Sequence, residues 1–319
     1  MSRWAVLACD QHTSEPEYWD KLDSYIGDAP STLRLMLPEA RLGEGDRTDE
    51  ISLAMRRYLD GGVFREIRDS FIYIERTLSD GYVRPGLIGV LDLDEYDYSP
   101  SSHSAVRATE GTVEERLPAR MKIRQSACLE MPHVMVFCES DIAAVKGELL
   151  YDFDLNMGGG HIRGWRADAD VSGISRLAVG DGNHSLATAK KCGDHYTLVE
   201  MVNIFDPSVV FHPIHRVLFS TDTSYLPGRM MHFDDVCECE SFCQEYVKKH
   251  GGYVDYIHGD ETAIAMAAQD GCAAALLPAF DKGRLFDDVF NLGPYERKSF
   301  SVGKSEDKRY YLECRRIND

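Results

Sequence analysis

The sequence lacks the long apolar runs that would place a protein in a membrane. None of its apolar stretches approaches the roughly 20 residues that a membrane-spanning helix requires. The first apolar stretch, Trp4 to Cys9, is interrupted by Asp10-Gln11-His12 before it reaches the length of the apolar region of a signal peptide. Its nine cysteines are an odd number and fit reduced thiols better than a disulfide framework. We therefore expect a cytoplasmic protein without a membrane partner.

Basic residues are scarce as well. Lys and Arg number 35 against 53 Asp and Glu, which gives the 319-residue chain a formal net charge of −18. Proteins that bind the phosphate backbone of nucleic acids use clustered Lys and Arg, so this charge argues against a nucleic-acid partner. We expect a small-molecule substrate instead. An anionic substrate would need a local basic pocket.

Several familiar catalytic motifs are absent. The sequence contains no G-x-x-x-x-G-K-[ST] phosphate loop, no G-x-S-x-G nucleophile elbow and no H-E-x-x-H zinc motif. Cys237, Cys239 and Cys243 lie in a segment with a helical pattern and have no second paired cluster, so they match a zinc site poorly. The candidate functional residues must therefore come from other segments.

Helical and strand periods alternate along the chain, which is typical of a mixed α/β protein. A segment rich in Asp, Tyr, Ser and Pro at 94–103 indicates a surface linker. We predict an N-terminal α+β region (1–100), a central region (101–225) and a C-terminal α/β region (226–319). Helices are predicted over 17–26, 49–59, 113–122, 235–250 and 261–268, and strands over 32–37, 71–74, 87–91, 198–204, 253–257 and 273–277, with 71–74 and 87–91 forming a hairpin.

The most informative segment is Asp181-Gly182-Asn183-His184-Ser185. An apolar run precedes it and a helix-forming run follows, so the pattern predicts a strand, a tight turn at the glycines 180 and 182, and a helix. Free N–H groups at the start of such a helix favour a bound phosphate or carboxylate. The alternative is an ordinary N-cap turn, in which Asn183 or Ser185 bonds the first helical amides and His184 packs.

A second candidate segment is the loop Thr109-Glu110-Gly111-Thr112, which precedes a charged helix carrying Arg116. A loop carboxylate whose pKa is set by its surroundings can act as general base on a hydroxyl. In the alternative interpretation Thr109 or Thr112 caps the helix and acidic residues complement its dipole. Spacing alone favours the capping interpretation.

Further polar segments offer weaker signals. His215 and Arg216 would bring a titratable ring and a bidentate donor to one place, although a buried structural arginine paired with a core carboxylate is an equally good interpretation. Lys298 and Ser299 belong to a run that alternates cation or hydroxyl with apolar residues, for which a solvated strand edge is the default. The glycine triplet 158–160 is a weak phosphate-loop candidate and fits a flexible turn or lid hinge better.

Short motifs follow one another along nearly the whole chain: Asp10 to Glu15, Pro30 to Arg34, Glu110-x-Thr112, Arg116, Asn156 to His161, Asp181 to His184, Pro213 to Arg216 and Lys298-Ser299. In this order they resemble the domain-of-unknown-function family 1015. The central segment of that family is similar to the ParB-like fold of the free-serine kinases. The resemblance implies a ParB-like central domain flanked by the N-terminal and C-terminal regions.

The resemblance also implies roles for individual residues. In those kinases a glutamate is the general base on the serine hydroxyl, and an Asp-Gly-His-His-Arg turn holds the nucleotide phosphates. By resemblance Glu110 is the base, while Asp181 and His184 lie at the phosphates or the metal. The implied activity is a phosphotransferase acting on serine or O-phosphoserine, with Mg²⁺ at Asp181 and ADP, ATP or pyrophosphate as phosphoryl partner. The residues expected to bind phosphate or substrate are Arg34, Thr112, Arg116, Gly182, Asn183, Ser185, His215, Arg216, Lys298 and Ser299.

Three positions depart from the kinase pattern. Thr109 stands where the kinases have His, Asn183 replaces the first His of the turn, and Ser185 replaces its Arg. An arginine beside a transferring phosphoryl group stabilises transition-state charge, so a cation such as Arg216 or Lys298 would have to take its place. The alternative function is a non-catalytic, ParB-like protein that binds nucleotides for regulation.

Overall fold

The computed structural model describes residues 1–13, 15–132 and 134–318, so Ser14 of the opening motif lies outside the described residues. None of the helices within these ranges combines the length and the apolar character needed to cross a membrane. The α-helices of the described residues are α1 (Pro16–Ile26), α2 (Thr48–Asp60), α3 (Leu117–Ser126), α4 (Asn183–Lys191), α5 (Val236–His250), α6 (Asp260–Ala267) and α7 (Leu285–Asn291).

Most strands belong to two sheets, and the remaining ones form two small pairs. The strands of the described residues are β1 (Val6–Leu7), β2 (Phe71–Thr77), β3 (Val83–Asp92), β4 (Tyr96–Asp97), β5 (Val106–Arg107), β6 (Leu129–Glu130), β7 (Met135–Cys138), β8 (Ala144–Asp154), β9 (His161–Ala169), β10 (Leu177–Asp181), β11 (Tyr196–Asn203), β12 (Phe211–Phe219), β13 (Met230–His232), β14 (Tyr253–His258), β15 (Ala273–Leu276), β16 (Phe300–Val302), β17 (Tyr310–Tyr311) and β18 (Arg315–Arg316).

The largest sheet is mixed and has the strand order β4-β5-β10-β7-β11-β3-β2-β9-β8. Strand β10 runs parallel to β5, and β11 runs parallel to β7, whereas β2 and β3 form an antiparallel hairpin. Helix α4 packs on this sheet through Leu186, which joins Val136 and Val179 in one buried cluster. Strands from both sides of residue 100 take part, so the first two predicted regions share one sheet.

The second sheet has the order β13-β15-β12-β14, and β16 also pairs with β12. Leu218 of β12 packs with Cys239 and Cys243 of α5, whereas Val217 packs with Ala263 of α6. Successive residues of a strand point to opposite faces, so a helix covers each face of this sheet. Cys239 and Cys243 therefore serve packing, whereas Cys237 is exposed, and no group of three metal-binding side chains occurs in the described part of the chain.

The mixed α/β class predicted from the sequence is confirmed. The helices predicted over 17–26, 49–59, 235–250 and 261–268 match α1, α2, α5 and α6 to within two residues. The predicted hairpin is β2 and β3. Long periodic segments were predictable because their own apolar pattern already matches the face that they bury.

The strand predicted over 32–37 is wrong, because Thr32–Arg34 is a 3₁₀ helix. The side chain of Ser31 accepts a hydrogen bond from the Leu33 N–H at 3.3 Å, and the Thr32 hydroxyl donates to the Trp4 carbonyl at 2.9 Å. Such side-chain bonds to the backbone offer an alternative to strand pairing. The alternating leucines pack instead into the apolar cluster beneath α1 and α2.

The glycine triplet 158–160 closes the β8–β9 hairpin. Gly160 has φ +79°, and a Cβ atom there would lie 2.0 Å from the Thr77 carbonyl oxygen. A Cβ atom on Gly159 would lie 2.3 Å from the Tyr310 hydroxyl. The predicted turn is present, but it packs tightly against its neighbours and is a poor phosphate loop or lid hinge.

The C-terminal segment returns to the N-terminal half of the chain. Strand β17 pairs with β1, and β18 pairs with β6. The buried Arg309 forms ion pairs with Glu200 at 3.0 Å and with Glu313 at 2.7 Å. These contacts fix the residues just before β17 against the large sheet.

Candidate active site

Strand β10 and helix α4 meet at a one-residue turn. Gly182 occupies this turn with φ +85°, a left-handed conformation that suits glycine. Gly180 is needed for a different reason, because a Cβ atom there would lie 2.4 Å from the ring of Phe137. The strand, turn and helix predicted from the sequence are confirmed.

The N-terminus of α4 has no side-chain cap among the described residues. Asn183 is turned away from the helical amides, since its Nδ2 donates to the Thr109 hydroxyl at 3.4 Å. Asp181 accepts the Gly182 N–H at 3.0 Å. The N-cap alternative is therefore wrong, and the first amides of α4 have no side-chain cap in the described part of the chain.

Hydrogen bonds join the Glu110 loop to this turn. The Thr109 hydroxyl donates to the Val179 carbonyl of β10, and the Val113 N–H donates to His184 Nε2 at 3.2 Å. The predicted charged helix begins as a 3₁₀ turn whose N-cap is Val113, without a side-chain cap. Thr109 and Thr112 do not cap it, so this part of the capping interpretation is wrong, whereas the acidic residues Glu114 and Glu115 do lie in the first turn.

The loop that carries Lys298 lies against Glu110. Residues Glu110 and Tyr295 form an isolated parallel β-bridge, and the Tyr295 N–H donates to the Thr109 carbonyl at 2.8 Å. Lys298 itself has φ +62°, which is uncommon for a residue other than glycine. Strand β16 begins two residues later, so Lys298 lies outside the strand that the alternating sequence pattern predicted.

A second lysine reaches the turn from the C-terminal segment. Lys308 Nζ lies 3.6 Å from Asp181 Oδ2. The fully buried Arg76 holds this segment, since its guanidinium donates to the carbonyl of Lys308 and, at 2.7 Å, to that of Glu306. The backbone of Lys308 is thus held from inside the protein.

Electrostatics at Glu110 are set by burial and by these lysines. Burial raises the pKa of the Glu110 carboxyl above its ordinary value, and the charge of Asp181 adds to the increase. The positive charges of Lys298, Lys308 and Arg297 act in the opposite direction. Burial lowers the pKa of Lys298 in turn.

His184 is a neutral ring in this environment. Burial lowers its pKa to about 4, and the charges of Arg120, Arg116 and Arg297 contribute to the decrease. Because Nε2 accepts the Val113 N–H, the ring proton lies on Nδ1. His184 therefore orients the Glu110 loop and adds no positive charge.

In this chain of net charge −18, cations from three segments act on the pKa of Glu110, His184 or Lys298. We call this group of charges the basic pocket, and one of its members, Arg120, is paired with Glu39. These cations are Arg116, Arg120, Arg297, Lys298 and Lys308.

Other predicted residues lie on the same segments of the chain. Thr112 Oγ1 and Asn183 Oδ1 are buried without a hydrogen-bond partner in the part of the chain that the structure describes. Ser185 is half-buried in the first turn of α4, and Arg116 is exposed. Ser299 is buried, and its hydroxyl donates to the Glu296 carbonyl at 2.6 Å.

Three predicted site residues have side chains committed elsewhere. Arg34 lies beneath α1, where it donates to the Gly27 carbonyl at 3.0 Å and pairs with an aspartate of α1. His215 is buried, with Nδ1 accepting the Leu277 N–H and Nε2 lying 2.8 Å from an Asp260 carboxylate oxygen.

The third is Arg216, which is fully buried and donates from Nε to Glu240 at 2.9 Å. Its polar groups point into the protein. They cannot reach a ligand beside Glu110 without leaving these partners.

Residues 1–314 match the sequence model of a family described as protein of unknown function (DUF1015). The chain belongs to this family. The family predicted from the order of the motifs is confirmed. No curated protein matches the sequence of this DUF1015 member.

Three solved structures resemble the chain at a distance. Free serine kinase in complex with AMP has 11% sequence identity and a TM-score of 0.43, and the match covers 70% of this chain and 90% of that one. The complex of a free serine kinase mutant with ADP gives 10% identity, a TM-score of 0.43 and the same coverage. A conserved hypothetical protein from Pyrococcus furiosus gives 10% identity and a TM-score of 0.38, covering 69% of this chain and 97% of that one.

Four charged residues that act on Glu110 or His184 in this DUF1015 protein lie outside the site residues predicted from the sequence: Asp10, Arg120, Arg297 and Lys308. Lys308 belongs to none of the sequence motifs. It lies ten residues after Lys298, and the pairing of β17 with β1 brings it to the turn before α4. Asp10 acts on the pKa of His184, and its opening motif was noted without a role. Lys308 and Asp10 can be identified as neighbours of the site only in the folded chain, where β1 pairs with β17.

Asp181 offers carboxylate oxygens that suit Mg²⁺. This ion binds through one or two carboxylates together with phosphate oxygens and water. One oxygen of Asp181 faces Gly182 and the other faces Lys308. No group of three metal-binding side chains occurs among the described residues, so a metal at Asp181 would be held mainly by phosphate oxygens and water.

Proposed function

We propose that this protein transfers a phosphoryl group between a nucleotide or pyrophosphate and the hydroxyl of a small metabolite. The single observation that carries this proposal is that hydrogen bonds join the Glu110 loop to the uncapped N-terminus of α4, where Lys308 lies 3.6 Å from Asp181. The motif resemblance makes serine or O-phosphoserine the small metabolite to test first.

Glu110 is the general base of the proposed reaction. A base must be deprotonated at working pH and still basic enough to accept a proton. Burial makes Glu110 more basic by raising its pKa, and the charge of Lys298 opposes this increase. The carboxylate would take the proton of the acceptor hydroxyl as the oxygen attacks the phosphoryl group.

In the proposed reaction, cations from other segments take the role of the arginine that the kinases have at the position of Ser185. Phosphoryl transfer spreads negative charge over the phosphoryl oxygens, and fixed cations and amides lower the energy of this state. Lys298, Lys308 and Arg116 would act together with the first amides of α4. Mg²⁺, held by Asp181 and the phosphate oxygens, would neutralise further charge when bound.

The experiment is a phosphorus NMR assay of the full chain with Mg²⁺ and serine, supplied with ATP, ADP or pyrophosphate. We expect O-phosphoserine to form with one of these donors. Glu110→Gln should reduce kcat by about 10²- to 10⁴-fold, the usual contribution of a general base, and should preserve donor binding. The matched control is Glu115→Gln, because Glu115 is exposed on the same segment. Unchanged turnover in Glu110→Gln would remove Glu110 from the mechanism.

The departures at Asn183 and Ser185 favour a second candidate function, a regulatory protein that binds a nucleotide without chemistry. A thermal shift screen with ADP, ATP, CTP, pyrophosphate, serine and phosphoserine separates the two. A ligand at one hundred times its dissociation constant stabilises the folded state by about 2.7 kcal/mol. Stabilisation by phosphoserine together with a nucleotide supports the enzyme, whereas a response to CTP alone supports regulation.

A further inference from the structure

Arg216 lies at the centre of β12, fully buried between a carboxylate and an aromatic ring. Its Nε donates to Glu240 Oε2 at 2.9 Å, and its guanidinium carbon lies 5.1 Å from the centre of the Tyr256 ring. Tyr256 donates to the other oxygen of Glu240 at 2.8 Å. These partners fix the plane of the guanidinium and therefore the direction of its remaining N–H groups.

One of those N–H groups is directed at the loop that carries Lys298. Arg216 Nη1 donates to the carbonyl of Lys298 at 2.9 Å and to that of Ile214 at 2.6 Å. A single guanidinium thus ties the backbone of β12 to the backbone of Lys298. The contact is to the peptide group, so the ammonium of Lys298 remains available to the pocket.

Lys298, whose carbonyl accepts this hydrogen bond, has an unusual backbone conformation. Lys298 has φ +62°, and a side chain at such a position persists only where its surroundings impose the conformation. The neighbouring Ser299 bonds locally to Glu296, which leaves the bond from Arg216 to fix the carbonyl of Lys298 itself. The side chain of Lys298 is exposed, and its charge acts on the pKa of Glu110.

We propose that Arg216 is a positioning residue of the phosphate site. It holds the left-handed backbone of Lys298, so that the ammonium stays beside Glu110. This role rests on the proposed function, since it takes Lys298 to be a phosphate ligand. Arg216 itself touches neither the phosphate nor the acceptor.

The test measures pyrophosphate binding to the full chain by calorimetry. Arg216→Lys should weaken binding at least tenfold while unfolding stays cooperative, because a lysine cannot bridge Glu240 and the Lys298 carbonyl in one plane. In a Lys298→Ala background the same substitution should have no further effect on binding. A purely structural role would weaken binding equally in both backgrounds.

The matched control is Arg124→Lys, which changes a largely buried arginine paired with Glu130 and Asp194. It should change pyrophosphate binding less than twofold. If Arg216→Lys does not fold, Glu240→Gln gives the same test, since it removes the carboxylate that orients the guanidinium. We then expect the same loss of binding and the same dependence on Lys298.

The outcomes separate the two proposals. If Lys298→Ala binds pyrophosphate as the wild type does, Lys298 is not a phosphate ligand and both proposals are wrong. If Lys298→Ala loses binding but Arg216→Lys retains it, the positioning role alone is wrong. If Arg216→Lys loses binding in a protein that shows no phosphoryl transfer, positioning stands and the site serves binding only.

Discussion

Glu110 shows at the scale of a single residue how a carboxylate can be useful and destabilising at once. Its pKa is raised by burial, so the folded chain holds the proton more tightly than the unfolded chain does. The contribution of such a group to stability is complete below its unfolded pKa and is lost as the pH rises through its folded pKa. Deprotonation of Glu110 therefore destabilises the fold that positions it.

We expect Glu110→Gln to raise the unfolding temperature at neutral pH. The difference from the wild type should vanish below the ordinary carboxyl pKa of 4.5, where Glu110 is protonated in both states. Thermal unfolding followed across this pH range checks the prediction, with Glu115→Gln as the exposed control. A Glu110→Gln protein that is less stable than the wild type at neutral pH would contradict it.

The pH dependence of activity should follow Glu110 and Lys298. A base must lose its proton, so kcat/KM should fall with decreasing pH through a limb above 4.5, the ordinary carboxyl value. A phosphate ligand must keep its proton, and burial lowers the pKa of Lys298, so activity should fall with increasing pH below the ordinary 10.5. His184, with a pKa of about 4, should add no limb near 6.5. A limb there that disappears in His184→Gln would show that the ring titrates during catalysis.

At the scale of the element, β10 and α4 depend on one left-handed residue between them. Gly182 has φ +85°, and a Cβ atom on it would lie 3.0 Å from the Cα of Val134. The turn sets the direction in which the helix starts. The position of the first amides of α4 is therefore fixed by a residue that contributes no side chain.

We expect Gly182→Ala to lower the free energy of unfolding by about 1–2 kcal/mol, the cost of a left-handed residue with a Cβ atom. It should also weaken pyrophosphate binding, because relief of the strain moves the first amides of α4. Gly173→Ala is the control, since its Cβ atom would meet open space at an ordinary φ. Urea unfolding and calorimetry measure the two effects. Equal losses in both variants would refute the role assigned to the turn.

At the scale of the whole molecule, the site is assembled from segments far apart in the chain. The Glu110 loop, the turn before α4, the Lys298 loop and Lys308 meet because β16 pairs with β12 and β17 pairs with β1. The large sheet also takes β2 and β3 from the N-terminal region. A basic pocket inside an acidic protein thus depends on the fold of the entire chain.

We expect the fragment 101–225 to lack a cooperative unfolding transition and to bind pyrophosphate at least tenfold more weakly than the full chain. The fragment loses β2 and β3 from its sheet and both lysines from its site. Calorimetry of the purified fragment beside the full chain checks both effects. A fragment that unfolds cooperatively and binds with full affinity would establish the central region as an independent domain.

Much of the fold and part of the site could be predicted from the sequence. The turn at Gly182 was predictable because a glycine between an apolar run and a helical run restricts the local backbone to few solutions. The 3₁₀ helix Thr32–Arg34 was not predictable, because Ser31 and Thr32 bond to backbone groups that the pattern does not reveal. For Arg216 the residues left two interpretations open, and its partners Glu240 and Lys298 lie 24 and 82 residues away.

By itself, the sequence determined the elements and the family, since both depend on residue types in a local order. Only the tertiary structure decided which charges share a pocket. Coulomb interactions depend on distance in space and on burial, and chain separation sets neither. The charges of the lysines at 298 and 308 therefore act on the acid at 110 only because the chain is folded.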